Sequence, residues 1–267
     1  MKILRQHMIL FSLLLVANGC EKEYPWKLHS YELNKIVVEG ILTSEYKPQH
    51  IFLSKPMDTL NGTAIRISGA DIRVSDEDSE YVFTEHQIGE YVSLPFGAVT
   101  GRAYTLSISL KGENYSATAE MVPISPMPVI NITLDSARGL YRYNYADDGT
   151  PSMMEVNYDW SSIPSYCDTI GSCSASEYFY SLPVIEVNKV FEPSKEIVWF
   201  PAGTVIIRRK YSLSEAHQEF LRSLLMETEW TGGIFDVQHG NVNSNISNGA
   251  LGFFGVCMVL SDTTMVQ

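Results

Sequence analysis

The segment Tyr104-Thr105-Leu106-Ser107-Ile108-Ser109-Leu110 alternates apolar and polar side chains without a fault. Successive strand side chains point to opposite faces, so this period of two lets one face be buried while the other stays wet. A helical period would spread the same apolar residues around the whole circumference. Asp71-Ile72-Arg73-Val74-Ser75, Glu80-Tyr81-Val82-Phe83-Thr84 and Glu90-Tyr91-Val92-Ser93-Leu94 repeat the pattern. The β-branched and apolar runs at 35–42 and 50–54, together with Asn114–Ala119, complete the set. Turn formers separate the runs at Asn61-Gly62, Ser68-Gly69 and Lys111-Gly112-Glu113-Asn114. About seven short strands at this spacing predict an immunoglobulin-like or transthyretin-like β-sandwich over residues 35–122. The 15 Tyr and 11 Phe favour such strands over a helical bundle.

Pro123, Pro126 and Pro128 fix φ and lack donors, which marks 123–128 as a proline-rich connector. Residues 129–267 then read as a second β-rich domain. Strands are expected at 129–134, 153–159, 177–190, 197–200, 204–211 and around 251–259, with a loop-rich stretch over 138–175. A single amphipathic helix is expected at about 213–228. Ser212-Leu213-Ser214-Glu215 has the form of a capping box with Ser212 as N-cap, and Leu213, Ala216, Phe220, Leu221, Leu224 and Leu225 follow at helical spacing. Trp230 and Thr231-Gly232-Gly233 close it. His217 stands one position off that stripe and reads as a surface residue. The fold class is therefore mainly β, a sandwich followed by a β-rich domain with one helix.

The N-terminus carries a different signal. Lys2 and Arg5 precede an apolar run from Met8 to Ala17. That run falls well short of the ~20 residues a bilayer span requires and suits a signal peptide over 1–19. Ala17-Asn18-Gly19-Cys20 resembles a bacterial lipobox, although Ala17 and Asn18 depart from its usual residues. The resemblance implies lipidation of Cys20 by palmitate-type chains, with 20–34 as a lipidated tether bearing Tyr24, Trp26 and Tyr31. Several acyl chains hold a protein firmly where one does not. Glu21-Lys22-Glu23 resembles the surface-export signal of Bacteroidota lipoproteins, so the expected location is the outer membrane, facing the cell exterior. The formal net charge is −12, and the leader holds two of the cations. Such a body repels nucleic acid, whose binding needs clustered Lys and Arg.

Several stretches carry a family resemblance. They are Val37-Val38-Glu39-Gly40-Ile41-Leu42, Gly89-Glu90-Tyr91, Gly101-Arg102-Ala103-Tyr104-Thr105-Leu106, Gly232-Gly233-Ile234-Phe235-Asp236, Gly240-Asn241-Val242 and the glycine-rich Ile246–Gly255. Together with the lipoprotein cysteine, this pattern resembles the Bacteroidota lipoprotein family known as domain of unknown function 4249. The resemblance implies an extracytoplasmic lipoprotein acting beside a TonB-dependent outer-membrane receptor. It transfers no catalytic residue.

Motifs that carry chemistry are sparse. No His-Glu-x-x-His, Gly-x-Ser-x-Gly, Gly-x-Gly-x-x-Gly or P-loop pattern occurs, so neither a metal nor a nucleotide cofactor is expected. The acidic run Ser75–Glu80 reads as a solvated hairpin turn rather than a calcium loop. Cys167 and Cys173, with five residues between them, can pair in an oxidising envelope, and Cys257 in its apolar run reads as a buried free thiol. The aromatic residues Tyr141, Tyr143, Tyr145, Tyr158, Trp160 and Tyr166 are the candidate ligand contacts, because exposed rings stack well on sugars and partner chains. The competing reading places the same alternation on a core face. The functional expectation is a non-enzymatic binding or accessory lipoprotein of an uptake system. The alternatives are an extracytoplasmic hydrolase, its residues assembled in space, or a structural or adhesion component.

Overall fold

The computed structural model describes residues 35–57, 62–170, 172–182, 196–229 and 242–267. Cys20, the leader, the tether, part of the run expected at 177–190 and the helix-closing Trp230–Gly233 lie outside them. The strands of the first part are β1 (Val37–Thr43), β2 (His50–Ser54), β3 (Asp71–Ser75), β4 (Glu80–Gln87), β5 (Glu90–Ser93), β6 (Ala103–Leu110) and β7 (Glu113–Glu120). There follow β8 (Ile132–Asp135), β9 (Leu140–Tyr143), β10 (Ser152–Asp159), α1 (Pro164–Ile170), β11 (Ser174–Ser181) and β12 (Val205–Ser212). The chain ends with α2 (Glu215–Thr228), β13 (Leu251–Cys257) and β14 (Val259–Met265).

The first sheet has the order β13-β1-β2-β5-β4-β3-β6-β7. In β6 the alternation is realised residue by residue. Tyr104, Leu106, Ile108 and Leu110 are buried, while Thr105, Ser107 and Ser109 are exposed. The sheet curls until its outer strands meet. Val122, just past β7, bridges Cys257 at the end of β13, and Ser247 N donates to Ser116 O over 2.8 Å. One sandwich-like core results, contributed by every strand of the sheet. The acidic run forms the β3–β4 hairpin turn, in which Asp76 Oδ1 accepts from the N–H groups of Asp78 and Ser79.

β13 lies deep in 129–267 by sequence, yet it belongs to this first sheet, running parallel to β1 from Val37↔Leu251 to Thr43↔Cys257. A boundary at 123–128 therefore does not separate the two sheets. The pairing requires Gly252, which has φ +93°, and a Cβ there would stand 2.0 Å from Val38 O. Only glycine combines that backbone conformation with so close a strand.

The second sheet is antiparallel, in the order β11-β10-β12-β14. β9, within the stretch expected to be loop, pairs with β8, and Tyr141 bridges Phe200. α1 lies in the same stretch. It opens on Pro164, whose missing N–H costs nothing in a first turn, but it is too short to show an apolar stripe. Cys167 on α1 is joined to Cys173, with their Cα atoms 4.6 Å apart.

The helix expected at 213–228 begins at Glu215, and its N-cap is Ser214, whose hydroxyl accepts from His217 N. Ser212 instead ends β12, where its Oγ accepts from Met258 N over 2.9 Å. The ladder had claimed Ser212 before it could cap. His217, expected at the surface, is 5% exposed because α2 packs against β13 as well as the second sheet. Its ring lies 4.8 Å from that of Phe253.

Two buried cations on β12 fasten the proline connector. Lys210 Nζ donates to Asp148 Oδ2 (2.5 Å) and Ser125 Oγ (2.6 Å). Arg208 donates to Pro128 O (2.9 Å) and forms an ion pair with Asp262. A buried charge is tolerable only when paired in this way. The chain then passes from β13 to β14 through Met258 alone, and Arg209 of β12 reaches Glu45 beyond β1. Met258 and the Arg209–Glu45 pair thus link the two sheets.

Candidate functional site

The six aromatic candidates face inward. Tyr143, Tyr158 and Trp160 are 8%, 1% and 1% exposed, and Tyr141, Tyr145 and Tyr166 pack against the same core. Tyr158 stacks on Phe200 at 4.9 Å and Tyr145 on Phe179 at 4.6 Å. Burial, and then the Glu177 carboxylate that accepts its hydrogen bond, push the Tyr158 hydroxyl far up. Trp160 Nε1 donates to Ser172 O over 2.8 Å, inside the loop that the disulfide closes. The expectation that these rings contact a ligand is thus corrected: the period of two on β10 aims Met154, Val156 and Tyr158 into one core.

His217 and Cys257 form a second cluster of interest, with Cys257 Sγ 3.6 Å from His217 Nδ1. Burial lowers the imidazole to about 4 and raises the thiol to about 12. Both groups are neutral near pH 7, without the thiolate that nucleophilic chemistry requires. The pair fills space between α2 and β13.

A concave surface forms on the outer side of β1, β2 and β13. The register places Phe52, Glu39 and Phe253 in one cross-strand row and sets Val37 beside Leu251. α2 rises over this face as a wall, where Phe220 stacks on Phe253 with ring centroids 4.6 Å apart and planes 15° from parallel. Leu224, one turn on, extends the wall. Between helix and sheet lies a groove of about 750 Å³, within the range of small-molecule sites.

Few polar groups enter the groove. Glu39 sits among the floor residues with its side chain 60% exposed, and Arg66 approaches to 4.0 Å. The Arg66 guanidinium also lies over the Phe52 ring at 5.0 Å. His50 and Lys47 stand at the rim, each beside a carboxylate: His50 Nδ1 is 3.0 Å from Glu90 and Lys47 Nζ 2.6 Å from Glu45. A surface of this kind can remove apolar area from water and offers one carboxylate for orienting a guest. Among the described residues no cluster of three or more His, Cys, Asp or Glu could hold a metal ion, and no helix is long and apolar enough to cross a membrane.

The groove residues were visible in the sequence only as parts of other patterns. Phe220 and Leu224 stood in the apolar stripe of the helix, and Phe253 in the glycine-rich ending. Their convergence depends on β13 pairing with β1, a contact between distant segments.

Fold and groove together define a mainly β protein whose described residues form sheets of eight, four and two strands, with an apolar recess beside its long helix. The family described as domain of unknown function (DUF4249) matches residues 21–263, and the chain belongs to it. No curated protein matches the chain.

Proposed function

We propose that this chain is a binding lipoprotein of the bacterial outer membrane, displayed outward, that holds apolar ligands in the groove between α2 and the β1–β2–β13 face. In this reading it serves as an accessory component of a TonB-dependent uptake system in a Bacteroidota cell. The groove carries the binding part: apolar side chains from three strands and a helix line a recess of about 750 Å³. Burying such a surface against a guest is favourable at roughly 25 cal/mol per Å² before the cost of association is subtracted. The anchoring part rests on the leader and Cys20.

The test has two arms. Purified protein is titrated with an environment-sensitive apolar fluorophore, beside a Leu224→Glu variant that places a charge in the wall. Saturable enhancement that the variant loses supports the groove; equal enhancement in both proteins refutes it. In cells, a fatty-acid probe should label the wild type and not Cys20→Ser, and affinity purification of the tagged lipoprotein should bring down an outer-membrane receptor. Recovery without any receptor removes the uptake role and leaves the groove standing.

A further inference from the structure

In the two-stranded sheet, Thr133 of β8 stands opposite Arg142 of β9. The far edge of β9 is bridged by Phe200, which exchanges both backbone hydrogen bonds with Tyr141, at 2.8 and 3.0 Å. One step along that antiparallel bridge sets Trp199 beside Arg142. Thr133, Arg142 and Trp199 therefore form a row across three extended segments. The row faces away from Tyr141 and Phe200, whose rings stack toward the core. Ile197, of the same parity as Trp199, is 46% exposed on that outer face.

The β8–β9 turn adds a further cation. The Asp135 carboxylate accepts from the N–H groups of Ala137 (2.9 Å) and Arg138 (3.1 Å). It also pairs with the Arg138 guanidinium at 2.5 Å. Arg138 is thereby held over the Trp199 ring, 4.7 Å from its centroid. These residues line a cavity of about 450 Å³.

The charges in this cavity do not cancel. Asp135 neutralises Arg138, whereas the Arg142 guanidinium has no ion pair or hydrogen bond among the described residues. On a protein of net charge −12, an unpaired guanidinium beside an indole and an isoleucine is a planar donor fork without its anion. Asp135, its charge balanced by Arg138, can accept from hydroxyl groups in the same cavity.

We propose that Arg142, Trp199, Ile197, Asp135 and Thr133 form a second binding site, specific for a carboxylate-bearing sugar. Its carboxylate is held by the Arg142 fork, its C–H face packs beside the Arg138–Trp199 stack and Ile197, and its hydroxyls meet Asp135 and Thr133. This site is separate from the α2 groove and does not depend on it.

The experiment is calorimetric titration of the detergent-solubilised full-length protein with glucuronate, glucose, glutarate and inorganic phosphate. Saturable binding of glucuronate alone, weakened at least about tenfold in Arg142→Gln and partly restored in Arg142→Lys, supports the site. Thermal melting of each variant, matched to the wild type, separates lost contact from lost folding. Equal binding of glutarate or phosphate, glucuronate binding that survives Arg142→Gln, or no saturable binding at all overturns it.

Discussion

His217 on α2 and Cys257 on β13 meet across 3.6 Å, nitrogen to sulfur, in a space from which water is excluded. The imidazole is a base whose folded pKa, about 4, lies below its unfolded value of 6.5. The unfolded chain therefore binds a proton that the folded chain refuses. Stability is full above pH 6.5 and falls as pH drops toward 4, by roughly 3 kcal/mol. Chemical denaturation across this window should show the loss, and His217→Leu should flatten it.

Lys210 and Asp148 give a second acid response at lower pH. Burial pushes the Asp148 carboxyl up, but the Lys210 ammonium, with Thr150 and Ser125, outweighs that and holds it well below 3.8. A carboxyl depressed in the folded state stabilises above its unfolded value, and that contribution disappears as pH falls below 3.8. Lys210→Met should cost roughly 2–3 kcal/mol at neutral pH, less than breaking a fully buried pair because Asp148 keeps 30% of its side-chain surface exposed. It should also shrink the acid slope below pH 4.

Gly252 is the position of least tolerance. Gly252→Ala sets a methyl group 2.0 Å from Val38 O at φ +93°, so β13 must leave β1 or distort. A loss of more than about 2 kcal/mol is expected in equilibrium unfolding, with the apolar probe released from the groove in parallel. A stable variant with an intact groove would contradict the register.

Replacing Cys167 and Cys173 together by serine should lower stability by about 2–3 kcal/mol, the loop-entropy value for so short a closure. Mass spectrometry after alkylation without reductant should find one reactive thiol fewer than the reduced count predicts for each bonded cysteine, and Cys257 should react only on unfolding.

The strands of the first part were legible because each declares itself over five to eight consecutive residues, as in Tyr104–Leu110. The helix was legible from its stripe, although its cap was misplaced by two residues, since nothing local says that Ser212 is still in a ladder. The aromatic residues of β9 and β10 were legible as a periodic face but not as an inward one; periodicity gives a face and only packing gives its direction. The candidate sites were the least legible. The groove needs β13 beside β1, and the Arg142 row needs Phe200 beside Tyr141, two pairings between segments that no local pattern connects.

The parallel pairing of β1 with β13 also orders events in time. A chain synthesised from its N-terminus offers Val37–Thr43 long before Leu251–Cys257 exists. Until the last strands emerge, β1 has an open edge, the kind of surface that captures a stray strand from a neighbouring molecule. Truncation anywhere before residue 251 should therefore leave an aggregation-prone product rather than a folded half.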